Sequence, residues 1–380
     1  MSKYGSMRAR IADWLLATPR RAGLVLSVAL GWAALGAAQA QAADGAAPCT
    51  PVGAVKFICN ATNVEDFAPV PRSSWVFGSD LPTPGTKQGY LHLFDARKDT
   101  VSRIEPSQIA TRPDKQRYRD CPGPPDMAIF APHGLDLTPP RNNRAVLYVV
   151  NHGGRESVEA FDVDLSKARP ALTWTGCVIA PPKFWPDAVA SLPDGALIVT
   201  SLWDPTDPQR VDKLSKGETV GALDEWQPDK GWSEVPGSTG MSGPNGVIVS
   251  PDGKEIFVAL WSGHEVMRLS RGANPVKKDS VPTGILTDNV RWSPDGKTIY
   301  AGGQDTTVKQ VLDCFESSQA NCPNVPFKIY ALNPRTMKLT DLVKSGVYGV
   351  MGAGTGAIRE GNQLWVSSFR ADRIALFPMK

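Results

Sequence analysis

Two kinds of residue in this chain could do chemistry. The first are oxygen-bearing side chains set just ahead of apolar runs. Glu65-Asp66 leads into Phe67, Asp187 into Ala188-Val189-Ala190, Asn245-Gly246 into Val247, and Asp288-Asn289 into Val290. The second are two histidines: His133-Gly134 precedes Leu135-Asp136-Leu137, and His152 closes the run Leu147-Tyr148-Val149-Val150-Asn151. Carboxylate and amide oxygens gathered from several directions suit a hard cation such as Ca²⁺. Unpaired carboxylates in a protein interior are costly, which is a second reason to expect a cation there. Two imidazoles on neighbouring strands can tune one of them toward general-base work near neutral pH. Each residue also has an ordinary reading. An isolated Glu-Asp is usually a solvated pair. Asn before Gly often forms a turn, and His beside Gly often satisfies a carbonyl. What sets the oxygen-bearing residues apart is a shared layout: oxygen side chain, apolar run, turn. His92, in the alternating run Tyr90-Leu91-His92-Leu93-Phe94, reads as structural, and His264 as a loop residue.

The elements that must position these residues read as short strands closed by turns. Leu192-Pro193-Asp194-Gly195, Ser250-Pro251-Asp252-Gly253, Ser293-Pro294-Asp295-Gly296 and Glu360-Gly361-Asn362 each lead into a β-branched or aromatic run. Pro presets φ at the first turn corner, Asp can close an Asx turn, and Gly takes positive φ, so the run pairs back as a hairpin. Asp252 and Asp295 lie 43 residues apart, about one four-stranded propeller blade. The chain has room for roughly six to eight such blades, and loop insertions favour the lower number. The expected fold is therefore all-β, a six-bladed β-propeller of four-stranded blades. A β-sandwich or β-helix needs no such turn at blade spacing. Residues 103–125 and 204–236 read as loops outside the blade rhythm, able to roof a central tunnel. Gly352-Ala353-Gly354-Thr355-Gly356 has no helical run after it and reads as an inner-strand bend, not a nucleotide loop. No Gly-x-Ser-x-Gly elbow is present, which argues against a serine hydrolase.

Hydrophobic residues make up 42% and charged residues 21% of the 380, a balance suited to a globular core and not to disorder. The net charge is only +3 and no long basic run follows the N-terminus, so nothing points to nucleic acid. Residues 1–42 read as a signal peptide. Arg8, Arg10, Arg20 and Arg21 precede the apolar run 22–38, and Ala38-Gln39-Ala40 and Ala40-Gln41-Ala42 offer small-x-small cleavage sites. An uncleaved anchor is the alternative, against which the run is short of a membrane span. Arg20-Arg21 follows Pro19 and makes a weak twin-arginine signal. Residues 43–380 would then be one propeller domain, periplasmic or secreted, with no stable span after processing. All six cysteines follow the signal, an even count that suits disulfides in an oxidising compartment. Cys314 and Cys322 are the easiest pair to imagine; the pairing of Cys49, Cys59, Cys121 and Cys177 stays open. No cysteine or histidine spacing suggests zinc.

Pro132-His133-Gly134-Leu135, then Leu147-Tyr148-Val149-Val150-Asn151-His152 and Val158-Glu159-Ala160-Phe161, resembles the paraoxonase, or serum arylesterase, pattern. The likeness continues through Asp187-Ala188-Val189-Ala190, Asn245-Gly246-Val247 and Asp288-Asn289 to Leu364-Trp365-Val366-Ser367-Ser368. Gluconolactonase-like and strictosidine synthase-like propellers share its strand-and-turn part. The resemblance implies a six-bladed propeller that hydrolyses lactones and aryl esters with Ca²⁺. It implies a catalytic ion held by Glu65, Asn245, Asp288 and Asn289. It implies a second, structural ion held by Asp66, Asp187 and the carbonyl of Leu135. His133 would be the base that activates water and His152 its partner. Two departures stand out: Pro186 sits where the family places an Asn ligand, and no Cys follows Cys322 to tie the N-terminal segment to the last strand.

The expectation is thus a metal-dependent carboxylic ester hydrolase or lactonase acting on a small molecule. The alternatives are a non-catalytic propeller that binds a ligand or a protein partner, and a sugar lactonase using another divalent metal, Zn²⁺ or Mn²⁺. Fold alone does not separate them. Trp185, Trp203, Trp226 and Trp232 could line an apolar substrate pocket or pack in core and rim.

Overall fold

The turns singled out above each join the first strand of a sheet to its second. In the computed structural model, which describes residues 48–84 and 86–379, six such sheets form a ring. The expected signal segment lies outside the described residues. The strands, in chain order, are β1 (Lys56–Cys59); β2 (Val64–Pro69), β3 (Trp75–Asp80), β4 (Leu91–Asp95) and β5 (Thr100–Ile104); the two-residue β6 (Ala110–Thr111); and β7 (Pro132–Leu137), β8 (Arg144–Asn151), β9 (Ser157–Asp164) and β10 (Ala171–Ile179). They continue with β11 (Pro186–Ser191), β12 (Leu197–Ser201), β13 (Ala222–Gln227) and β14 (Gly231–Glu234); β15 (Pro244–Val249), β16 (Glu255–Leu260), β17 (Glu265–Ser270) and β18 (Lys278–Pro282); β19 (Leu286–Trp292), β20 (Ile299–Gln304), β21 (Phe327–Asn333) and β22 (Lys338–Gly346); and β23 (Gly354–Glu360), β24 (Gln363–Ser368) and β25 (Arg373–Pro378).

Each blade is a four-stranded antiparallel meander, and β6 adds a short parallel edge to β10 of the second blade. The sixth blade is completed by β1, which pairs antiparallel with β25 from Lys56↔Leu376 to Cys59↔Arg373. The first strand thus closes the ring against the last, the role for which no long-range disulfide is available. The inner strands β2, β7, β11, β15, β19 and β23 pack each against the next and back to β2. Five of them are buried almost throughout and β7 at half its positions, whereas the outer strands β18 and β22 are largely exposed. Sheets covered on both faces need continuous apolar runs and outer strands do not. Between blades the faces interlock through large rings. Phe67 and Phe94 of the first blade lie 6.4 Å and 5.7 Å from Trp365 of the sixth, centroid to centroid. Each such buried ring contributes about 1.5–3 kcal/mol.

Two short helices, α1 (Arg210–Ser215) and α2 (Val308–Glu316), follow the second strands of blades three and five. No helical periodicity strong enough to mark them is legible after residue 45. In α2, Val308, Val311 and Cys314 point inward, and Thr307 caps the helix by accepting from the Gln310 N–H at 3.3 Å. Both helices pack in one apolar cluster with Trp203, Trp261, Leu286 and Phe369; α1 lies in the expected 204–236 stretch, whereas α2 lies outside both stretches expected as insertions. The stretch 204–236 is not all insertion, however: residues 222–234 are β13 and β14, the outer half of the third blade. Likewise 103–125 begins with the end of β5 and contains β6. All six cysteines are paired, as Cys49–Cys59, Cys121–Cys177 and Cys314–Cys322. No helix among the described residues is long and apolar enough to cross a membrane.

Candidate functional site

In every inner strand the ladder to its neighbour skips two residues near its start, after the first pair or, in β19, the second. The skipped residues are Glu65-Asp66, His133-Gly134, Asp187-Ala188, Asn245-Gly246, Asp288-Asn289 and Thr355-Gly356. Such irregularities re-aim side chains and free the local backbone from the ladder. Hydroxyls on the second strand take up N–H groups the ladder leaves: Ser79 accepts from Asp66 at 3.1 Å, Thr200 from Ala188 at 3.0 Å, and Ser367 from Gly356 at 3.1 Å. The second skipped residue is small where the next blade presses in. A Cβ on Gly134 would lie 2.4 Å from the Asp187 carbonyl, and one on Gly246 2.6 Å from that of Asp288. Asn245 and Asn289 are therefore strand residues of a crowded axis, not turn formers. Glu65, Asp187, Asn245 and Asp288 share the first of the two skipped positions, as does His133, and Asp66 and Asn289 share the second.

Glu65, Asp66, Asp187, Asn245, Asp288 and Asn289 are all buried. Glu65 Oε1 accepts from Asn289 Nδ2 at 2.7 Å, whereas its Oε2 has no hydrogen-bond partner among the described residues. The Oδ1 of Asn245 has none either. Asp288 Oδ2 accepts from Gln304 Nε2 at 2.6 Å, and Gln304 is held in turn by Trp261 Nε1 at 2.9 Å. Burial holds the Glu65 carboxyl well above the usual range, helped by the charges of Asp288, Asp66 and Asp187 and opposed by the Asn289 hydrogen bond. Asp187 is also held well above it, by burial and then by Asp288 and Asp66. Asp288 is pushed up to about 7 by burial, against the Gln304 hydrogen bond. A set of buried, mutually repelling carboxyls with two open oxygens fits a hard cation. No three Asp, Glu, His or Cys side chains among the described residues converge into a metal cluster by themselves; the amide oxygens of Asn245 and Asn289 would have to complete one.

The two histidines meet. His133 opens β7 and His152 follows β8, whose ladder pairs Pro132 with Asn151, and His133 Nδ1 lies 3.0 Å from His152 Nε2. His152 Nδ1 lies 2.6 Å from Glu156 Oε2. A carboxylate at Nδ1 requires the proton there, so His152 Nε2 accepts from His133 Nδ1–H, and the Nε2 of His133 is left with its lone pair. That nitrogen is 3.6 Å from Glu65 Oε2, the open oxygen. Burial first, and His152 second, hold the His133 pKa well below the ordinary imidazole value. Trp185 stacks on His152 at 4.5 Å and 18°, and Trp203 lies 6.1 Å further on. Trp226 and Trp232 are elsewhere: Trp226 stacks on Tyr118, and Trp232 packs on Phe184 in the outer part of the third blade. His92 is structural, buried with Nε2 3.1 Å from the Thr62 carbonyl. His264 lies in the turn between β16 and β17.

Asp66 faces something not foreseen. Its Oδ2 contacts the Arg291 guanidinium, which also donates to the Leu135 carbonyl at 2.7 Å. Burial raises the Asp66 pKa while Arg291 and the N–H groups of Leu135 and Phe67 lower it. We read Asp66 as ionised, because protonation would leave the guanidinium as a buried charge without a partner. Sequence reasoning missed Arg291, Glu156 and Gln304. Arg291 carried a signal, an arginine between Val290 and Trp292 in an otherwise buried inner strand. Glu156 sits in the β8–β9 connection, where His152-Gly153-Gly154-Arg155-Glu156 gives no strand or helix period.

The fold and site together define an all-β six-bladed propeller whose axis is lined with carboxyls, amides and a histidine pair. No family model matches the chain, and no curated protein matches it. Solved structures do. A luciferin-regenerating enzyme is 12% identical over 85% of this chain and 94% of its own, with a TM-score of 0.48. The β-propeller domain of Cps50 (Swd1) from Myceliophteria thermophila is 10% identical over 86% and 100%, with a TM-score of 0.45. A proposed 6-phosphogluconolactonase from Bacteroides fragilis is 15% identical over 80% and 77%, with a TM-score of 0.40. Likeness at this level carries no argument about activity.

Proposed function

We propose that this chain is a metal-dependent carboxylic ester hydrolase of the paraoxonase-like kind, acting on lactones or aryl esters with Ca²⁺, and that it works in the periplasm or outside the cell. The observation that carries the reading is the line Glu156–His152–His133, which ends in a bare imidazole nitrogen 3.6 Å from the open Oε2 of Glu65. Glu65, Asn245, Asp288 and Asn289 would hold the ion. When bound, it would polarise the scissile carbonyl as a Lewis acid. The chain's own part is proton handling. His133 Nε2 takes a proton from water as the water oxygen bonds to the carbonyl carbon, and returns it to the leaving oxygen as the ester bond breaks. His152 and Glu156 keep the Nδ1 proton of His133 in place, so that only Nε2 can act. Trp185 and Trp203 supply an apolar wall beside the dyad. The three disulfides support an oxidising compartment.

The test is hydrolysis of a panel of lactones and phenyl acetate by the mature protein, with EDTA, with Ca²⁺ added back, and in Asp288→Ala. Turnover that EDTA removes, Ca²⁺ restores and the variant lacks is the expected result. Restoration by Zn²⁺ or Mn²⁺ alone would point to a sugar lactonase of another metal. No turnover by folded, Ca²⁺-loaded protein would point to a propeller that binds without catalysis.

A further inference from the structure

We infer that the Arg291 guanidinium does permanently what a second bound ion would do, so that this propeller takes up one divalent cation and not two. A second ion of the expected kind needs Asp66, Asp187 and the Leu135 carbonyl. Two of those three are already engaged. Arg291 contacts Asp66 Oδ2, donates to the Leu135 carbonyl at 2.7 Å, to the Phe67 carbonyl at 3.0 Å through Nε, and to its own Val290 carbonyl at 3.0 Å. Asp66 completes its valences with the N–H of Leu135 at 2.8 Å and of Phe67 at 2.7 Å. Neither side chain has a buried polar atom left unpartnered. A dication at the same point would sit in contact with a guanidinium, and the two charges repel too strongly to share it.

The geometry also explains what Arg291 joins. It reaches from β19 of the fifth blade to β2 of the first and β7 of the second. One side chain therefore pins three blades across the axis, a structural ion's task done by a rigid, always-charged fork. Asp187, the third expected ligand, occupies the same skipped position as Glu65, Asn245 and Asp288. The acid that acts on it most is Asp288, ahead of Asp66. It is left to the first site, where it can offer the oxygen that Pro186 cannot. The count of one rests on the metal reading above; the role of Arg291 does not.

The experiment combines Ca²⁺ titration by calorimetry with thermal unfolding in EDTA, for the mature protein, Arg291→Met, and the double variant Asp66→Asn/Arg291→Met. The wild type is expected to bind one Ca²⁺ per chain. Arg291→Met is expected to melt roughly 5–10 °C lower in EDTA, because it leaves Asp66 buried and unpaired. It is also expected to bind a second Ca²⁺ and to recover stability with it. The double variant should regain part of the loss and bind one. Two ions in the wild type, an unchanged melt for Arg291→Met, or a double variant no more stable than the single would overturn the inference. One ion with no hydrolysis would sink the proposed activity and leave this inference standing.

Discussion

Glu65 and Asp66 are neighbours in sequence, both skipped by the same ladder and both at most 2% exposed. Their surroundings are opposite. Every valence of Asp66 is filled by Arg291, Leu135 and Phe67, whereas Glu65 keeps one oxygen open beside a bare imidazole nitrogen. Buried polar atoms in folded proteins are nearly always satisfied, so an exception beside a second unpaired polar atom marks the open side of the pair. One residue of the pair thus joins blades through its partners, and the other presents an unpartnered oxygen.

The sharpest way to break this contrast lies on the open side. His133→Gln should lower kcat about 10²–10⁴-fold while Ca²⁺ affinity stays put, as steady-state rates and calorimetry would show. Glu156→Gln, which acts through His152, should cost about tenfold and move the pH profile of kcat. Equal losses in rate and Ca²⁺ affinity for His133→Gln would make the dyad part of the metal cage and not a base. The next test sets the two acids against each other. In EDTA, Asp66→Asn should cost about 3–5 kcal/mol of unfolding free energy, because Arg291 loses its counter-charge. Glu65→Gln should leave stability unchanged or raise it, and should weaken Ca²⁺ binding. Denaturant midpoints that fall alike for both variants would erase the distinction.

The smallest effect comes from a buried acid off the axis. Asp80 is raised from 3.8 to about 7 by burial, with Arg103 pulling the other way. Its other neighbour, His92, is held near 4 by burial and is neutral, so no ion pair forms across their 3.8 Å separation. The folded state therefore binds a proton on Asp80 that the unfolded state has already released. The stability it contributes is full below about pH 4 and lost as pH rises toward 7. Urea midpoints across that window should fall less steeply in Asp80→Asn than in the wild type.

Blades three to six were legible because their first hairpins turn on residues with one meaning, Pro-Asp-Gly or Glu-Gly-Asn. The first two blades turn differently. Residues 70–74 carry Arg72 at positive φ, and residues 138–143 use Asn142 and Asn143 the same way, so their hairpins lack the repeat's signature. The outer strands β13 and β14 hid inside a Pro- and Lys-rich stretch because β13 mixes polar and apolar residues over only six positions and β14, the edge, needs no apolar run. The oxygen-bearing axis residues could be found since each precedes a buried run. Their partition could not, because Arg291 is 225 residues from Asp66 in sequence, in no simple pattern, and reaches it only once the ring exists. Glu156 was invisible for a similar reason: its meaning depends on where a loop folds, not on a period.

Closure by β1 has a consequence for how the molecule is made. The strand that finishes the sixth blade is synthesised first and its partner last. A nascent chain that stops short of residue 373 has a ring with a gap and an edge strand with nothing to pair. Nor can the acids of the first, third, fourth and fifth blades be held in register around one axis before that gap shuts. A few residues trimmed from the C-terminus should therefore harm the distant axis more than their own exposed surface suggests.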